Sequence, residues 1–496
     1  MPLKEIKLVG EQKRVLFLPP KEPLLIKGVA GSGKTTVALY RAKHLIDTES
    51  NLFQEAKVAI FTYNKTLVKY ITAITPAISG GYQANSEDII PVKPKGLNVC
   101  VTNFHKWAYG FIERHGIQLS KVVNNNRIFK TISGDKVGVV LTNIKNRYQD
   151  YNIANKCVDF FIEEVSWMKG KVFKTKADYL EAKRTGRGTS DRVTKTDKDV
   201  IWSIFTDYNN YLIENDQVDF DDYALLCLNI LEANDDVDKP FTHIIIDEAQ
   251  DLSKAQILVI SQLISDQTKN ISIIADAAQQ IYKSGFTWSE VGLNVRGGRT
   301  VEFKKNYRNT IPIAKAAISL LENETDKSEF SKVEAARKGE QKPVIGRFND
   351  WNEQLSYIIE QLQSLKSSKQ LYSTVIVHRN TSGVNKIITH LLSAGFCSQK
   401  MQSSNDINFN DESIKVCTLS SVKGLEFDNV FAIDLNDDII PYPSGFADGD
   451  DETHISTERK LLYVSMTRAR ERLYLLSSGT PSRYLAEIDP SLVELI

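Results

Sequence analysis

The 496-residue chain has no net charge, because 62 acidic residues balance 62 basic ones. That excludes a globally basic nucleic-acid coat, though not a local basic groove. Cysteine is scarce: Cys100, Cys157, Cys227, Cys397 and Cys417 stand far apart, with no CxxC pair. A zinc or iron–sulfur site has no ligand spacing to rest on, and the odd count suits a reducing cytoplasm. His44, His105, His243, His378 and His454 also lack metal-ligand spacing. No apolar run is long enough to span a bilayer, and the N-terminus has no signal-peptide core. The chain is expected to be soluble and cytoplasmic, and at this length to hold two or more domains.

What is present begins with "LLIKGVAGSGKTTVALYRAK", Leu24 to Lys43. An apolar run leads into Gly28-Val29-Ala30-Gly31-Ser32-Gly33-Lys34-Thr35, which fits GxxxxGK[ST], and a helical stretch from Thr36 follows. Such glycines let backbone N–H groups surround phosphates at the positive end of a helix dipole. Lys34 is expected at the β and γ phosphates and Thr35 on Mg²⁺. A glycine turn with no ligand is the bland alternative, and the complete motif between strand and helix argues against it. In "FTHIIIDEAQDLS" a buried strand delivers two acids to its carboxyl end. Asp247 is expected to hold Mg²⁺ through water, and Glu248 to orient or deprotonate the attacking water.

The DEAQD run at 247–251 resembles the second motif of superfamily 1 helicases of the UvrD/Rep type, and further motifs follow in that family's order. The resemblance implies an α/β fold of two RecA-like P-loop motor domains, with ATP and Mg²⁺ as cofactors. It places Gln12 of "EQKRVL" at adenine, with Tyr307 of "FKKNYRNT" stacked on the base. It makes Gln279 of "IIADAAQQIYKSGFTW" the γ-phosphate sensor. Arg308 and the arginine finger Arg468 of "YVSMTRAR" are expected at the γ phosphate, and Glu426 of "VKGLEF" at the nucleotide. Lys34 and Mg²⁺ would come from the first half and the two arginines from the second. The reaction would then assemble only when two domains close on one nucleotide.

The same resemblance implies 3′→5′ travel on single-stranded DNA. The strand-contacting candidates are Phe61 or Tyr63 of "VAIFTYNKTL", Thr102 and His105 of "VTNFHKWA", Phe286 or Trp288, and Lys423. Base stacking and backbone contacts leave the choice between DNA and RNA open.

The first motor domain is expected at 1–108 and 216–296, and the second at 297–496 with "VEFKKN" among its strands. A mostly helical insertion is expected at 109–215. From Lys169 to Lys198 that insertion carries ten Lys/Arg against four Asp/Glu, with Trp167, Phe173 and Tyr179 in or beside it. A strand groove and a solvated face with core aromatics are the two readings of this stretch.

Four departures from the family pattern stand out, one of them Asp276-Ala277-Ala278 in place of a more acidic stretch. Lys283-Ser284-Gly285-Phe286-Thr287-Trp288 replaces the usual x-Trp-Arg-Gly after Ile-Tyr. Ser420 stands where the fifth motif has His. Only "CSQKMQSSNDINFNDES" separates "LLSAGF" from "IKVCTLS", where larger relatives insert a subdomain. A nuclease fused at either end of these motifs is not expected. Two tasks are therefore weighed, an autonomous helicase or translocase, and a motor that works with a separate nuclease or remodels a protein–nucleic-acid complex in repair or anti-phage defence. A P-loop switch without nucleic acid is disfavoured by the TFH and KGLEF motifs. The oligomeric state stays open.

Overall fold

The computed structural model describes residues 8–496 except 21, 30, 51–54, 63–64, 75–83, 86–98, 116–128, 183–192, 235–236, 238, 277–285, 296–298, 323, 325–333, 402–408, 410 and 443–451. Ala30, Tyr63 and Gln279 lie outside the described residues.

The strands follow the short apolar runs of the sequence. In chain order they are β1 Leu24–Gly28, β2 Val58–Thr62, β3 Ala84–Asn85, β4 Val99–Asn103, β5 Lys130–Thr131, β6 Gln217–Val218, β7 His243–Ile246, β8 Asn270–Asp276 and β9 Thr300–Phe303. They continue as β10 Lys305–Thr310, β11 Glu334–Arg337, β12 Val344–Arg347, β13 Thr374–His378, β14 Ser398–Lys400, β15 Ile414–Thr418, β16 Phe427–Ala432, β17 Ala469–Ser477 and β18 Glu494–Leu495. Among the described residues they form two seven-stranded sheets, β3-β4-β2-β7-β8-β1-β9 and β14-β15-β13-β16-β17-β12-β18. Ranked by chain order within each sheet, both read 3-4-2-5-6-1-7, so one topology is used twice. All of their pairings among the described residues are parallel. Central strands such as β2, β7 and β13 are buried along their whole length, as helices covering both faces of a parallel sheet require. The chain is thus an α/β protein with two RecA-like layers.

One boundary differs from expectation. β9, expected in the second half, pairs with β1 from Leu25↔Thr300 to Gly28↔Phe303 and forms an edge of the first sheet. Phe303, its last residue, is buried. Crossing to the second half therefore begins after residue 303, with β10.

The insertion is helical, built from Gly134–Lys145, Val158–Lys171, Lys176–Glu181 and Lys195–Glu214. Thr175 with Asp178, and Thr194 with Asp197, close reciprocal capping boxes at two of the helix starts. The two-stranded β5–β6 ladder ties its entry to its exit. Its aromatics decide between the two readings of the basic stretch. Trp167 and Tyr179 are buried, and Phe173 packs against the same core. Lys169 is buried on Asp219 and Asp222, at 2.8 and 2.6 Å. Lys198 is spent on the carbonyls of Tyr179, Leu180 and Ala182. The aromatics are therefore core rather than groove lining, and Lys169 and Lys198 are spent inside the insertion, whereas Lys174, Lys176 and Lys195 are exposed.

The two halves share one apolar cluster that includes Ile26, Val58 and Leu67 of the first and Val375, Leu425 and Phe427 of the second. Leu67 fits against Gly424 (φ +83°), where an added Cβ would lie 2.9 Å from its side chain.

Candidate nucleotide and nucleic-acid site

The carboxyl ends of β1, β7 and β8 converge on one loop. Gly33, at φ +80°, ends that loop and caps the helix Lys34–Glu49. An added Cβ there would sit 2.3 Å from Gln12 Nε2, so the close approach requires glycine. Gln12 is buried, donates to the Ser32 carbonyl at 2.7 Å and accepts from the Val9 amide at 2.9 Å. Gly31, at φ +75°, packs beneath Asn306 and Arg308, and its carbonyl accepts from the Tyr307 and Arg308 amides. The Tyr307 hydroxyl approaches Gly10, on the Gln12 side of the loop.

Lys34 folds back across the loop. Its Nζ donates to the Gly28 and Val29 carbonyls at 3.0 and 3.1 Å and to Asp276 Oδ2 at 3.0 Å. Thr35 Oγ1 donates to Asp247 Oδ2 at 2.7 Å. Thr36 follows on the same helix. A hydroxyl beside a buried carboxylate is a hard-oxygen pair suited to Mg²⁺. The buried Ser32 hydroxyl has no protein partner, which suits a loop shaped for a phosphate. The residues present thus fit ATP and Mg²⁺. Among the described residues no cluster of three or more His, Cys, Asp or Glu could hold a metal by itself.

Asp247 and Glu248 divide in character. Burial and the neighbouring Glu248 push the Asp247 carboxyl up to about 7. Burial also acts to raise Glu248, but Lys34, Lys423 and Arg468 outweigh it and hold that carboxyl below the usual range. Two of these three cations come from the second half. Glu248 sits at φ +54°, a left-handed conformation uncommon for a side-chain-bearing residue. Arg308 Nη2 pairs with Glu426 Oε1 at 2.5 Å, and its Nη1 donates to the Thr467 carbonyl. Arg468 is buried, donates from Nε to the Val464 carbonyl at 2.9 Å, and is lowered to about 10, first by burial and then by Arg308.

The strand-contacting candidates fare differently. Phe61 is fully buried, edge-on to Trp107 and Phe241 at 6.0 and 6.2 Å, and belongs to the first-sheet core. Thr102 is also buried, and its hydroxyl donates to the Asn103 carbonyl. Neither can reach a base, because β2 and β4 lie inside a sheet covered on both faces. His105 is half-buried and meets the edge of Phe220 at 5.6 Å. Phe220, 51% exposed, is an aromatic the sequence reading missed. Phe286 and Trp288 meet edge to face at 5.6 Å, both half-buried against the first core. Lys423 Nζ pairs with Asp251 Oδ1 at 2.6 Å, joining the two halves.

Asn306, Asn309, Gln250 and Asp276 were also missed. Asn306 Oδ1 accepts from the Arg308 and Asn309 amides, and Asn309 Nδ2 donates to the Thr467 carbonyl at 3.1 Å. The two asparagines thereby join the phosphate loop to the turn that carries Arg468. The twin asparagines of "NYRN", flanking a cation, were the available signal.

A family model for the UvrD/REP helicase N-terminal domain matches residues 8–289. A UvrD-like helicase C-terminal domain model matches 301–405 and 381–479. The chain is 24% identical over 494 residues to a probable DNA helicase of Mycoplasma pneumoniae, covering 93% of this chain and 83% of that protein. It is 24% identical over 383 residues to ATP-dependent DNA helicase PcrA of Leuconostoc citreum, covering 75% of this chain and 46% of that one. The figures for PcrA of Staphylococcus aureus Mu50 are 23% over 373 residues, 73% and 46%. The match spans less than half the length of the PcrA relatives.

Proposed function

Because the chain belongs to the UvrD/REP helicase family, we propose that it is an ATP-dependent motor that moves 3′→5′ along single-stranded DNA. One observation carries this reading. Glu248, the candidate base, lies under the charge of Lys34 from one half and of Lys423 and Arg468 from the other. A carboxylate so placed is tuned by the relative position of the two halves, which a motor requires.

In this reading Gln12 and Tyr307 hold adenine, and residues 28–36 wrap the phosphates. Lys34 leaves Asp276 for the β and γ phosphates. Thr35 and Asp247 hold Mg²⁺, which when bound neutralises phosphate oxygens. Glu248 orients the attacking water and accepts its proton. Arg308 and Arg468 compensate charge at the γ phosphate, Gln279 senses that phosphate, and Glu426 holds Arg308 in place. His105, Phe220, Phe286 and Trp288 offer base-stacking surface, worth about 1–3 kcal/mol per base without sequence readout.

A second reading keeps the motor and reduces strand separation. Only residues 401–413 join β14 to β15, where larger relatives carry a subdomain. That favours a motor which works with a separate nuclease or remodels a protein–nucleic-acid complex.

The deciding experiment measures ATPase rate with and without single-stranded DNA or RNA, beside strand displacement and a Glu248→Gln control. DNA-stimulated turnover lost in the control supports the motor, and displacement separates the two tasks. Turnover that ignores both nucleic acids overturns the reading.

A further inference from the structure

Gln250 takes no part in the chemistry above, yet it is 2% exposed in the middle of the site. Both ends of its amide are engaged. Nε2 donates to Glu248 Oε2 at 2.5 Å, and Oε1 accepts the Asp276 backbone N–H at 3.0 Å. The second bond fixes which way the amide faces, because only the carbonyl end can accept from a backbone N–H. The N–H end is then forced toward Glu248. Asp276 is also the residue whose carboxylate holds Lys34. A continuous path therefore runs from the phosphate lysine through Asp276 and Gln250 to the candidate base. Glu248 needs such a hold, because its left-handed backbone (φ +54°) is a conformation that persists only where surroundings impose it.

We propose that Gln250 is a positioning residue for ATP hydrolysis, its amide clamping the Glu248 carboxylate to the end of β8 so that the base faces the γ-phosphate water. The assignment rests on the functional reading above. It gives Gln250 no contact with nucleotide or strand. Its loss misplaces the base and leaves both binding surfaces intact.

The test uses the full chain with Gln250→Met, which keeps length and loses both hydrogen bonds, and Gln250→Glu, which keeps the acceptor but sets a second carboxylate against Glu248. Steady-state ATPase is measured with saturating oligo-dT, together with oligo-dT affinity by fluorescence anisotropy and thermal melting. For both variants kcat should fall about 10- to 100-fold, the scale of a misplaced catalytic group. KM for ATP and oligo-dT affinity should stay within about threefold, and melting should stay cooperative. A Gln250→Met kcat within twofold of wild type overturns the assignment. So does a parallel loss of kcat, affinity and melting temperature, which marks a merely structural residue. A wild type without ATPase instead overturns the functional reading beneath it.

Discussion

Lys423 reaches from the loop after β15 to Asp251 in the loop after β7, Nζ to Oδ1 at 2.6 Å. The Asp251 side chain is 4% exposed, its Oδ2 has no protein partner, and burial holds its carboxyl up at about 6 despite the lysine. The lysine assigned to strand phosphates thus already has a carboxylate across the cleft. A strand phosphate and Asp251 would compete for it.

Lys423→Ala should weaken strand-stimulated ATPase, and it should destabilise the protein more at neutral than at acid pH. Removing one partner of a buried pair costs about 3–5 kcal/mol when the other stays charged. Burial already raises the Asp251 carboxyl to about 6 with Lys423 beside it, and loss of the lysine raises it further, so its uncompensated charge is shed as pH falls below neutral. The melting deficit of the variant relative to wild type should therefore shrink between pH 7.5 and 5.5. An equal deficit at both values would remove Asp251 as the partner that matters.

Lys34→Ala should abolish turnover and also leave Asp276 buried without this ion pair. The double variant Lys34→Ala/Asp276→Asn should recover most of the lost melting temperature and none of the activity. Recovery of hydrolysis would show that Lys34 acts only as a counterion.

Arg468→Ala should cut kcat by about 10²-fold or more, the scale of a lost charge-stabilising donor, with oligo-dT affinity within a few-fold. Wild-type turnover would remove the main support for closure of two halves on one nucleotide.

His243 is buried at the start of β7, and burial followed by Arg41 lowers it to about 4. Its unfolded value is about 6.5. Between these values the unfolded chain binds a proton that the native chain refuses, so stability falls as pH drops through that window, by on the order of 2 kcal/mol. His243→Gln should flatten chemical-denaturation stability between pH 6.5 and 4.5. An unchanged slope would assign the acid sensitivity elsewhere.

Residues that act where a strand ends were legible in advance. An apolar run followed by GxxxxGK[ST], and another followed by Asp-Glu, fix where chain direction and backbone donors must lie. Thr35 accordingly bonds to Asp247, and Lys34 lies across the loop on Asp276. Phe61 and Thr102 could not be read this way, because a parallel sheet covered on both faces buries both sides of a strand. An aromatic in such a strand carries no sign of which environment it meets. Within the basic stretch Lys169 and Lys198 could not be told from exposed lysines for a related reason, since they are covered by residues distant in sequence. β9 was placed with the wrong half because a short apolar run does not name its partner strand.

The sequence by itself determined the α/β class and located the phosphate loop and the two acids, while its ordered motifs carried the resemblance to the family. Each is a matter of local spacing, and local spacing survives without knowledge of the fold. Tertiary structure alone decided that Lys423 faces Asp251, that Gln250 joins Glu248 to Asp276, and that Phe220 rather than Phe61 is the exposed ring. These depend on which loops two sheets bring together, and side-chain burial and long-range pairing are set by that packing.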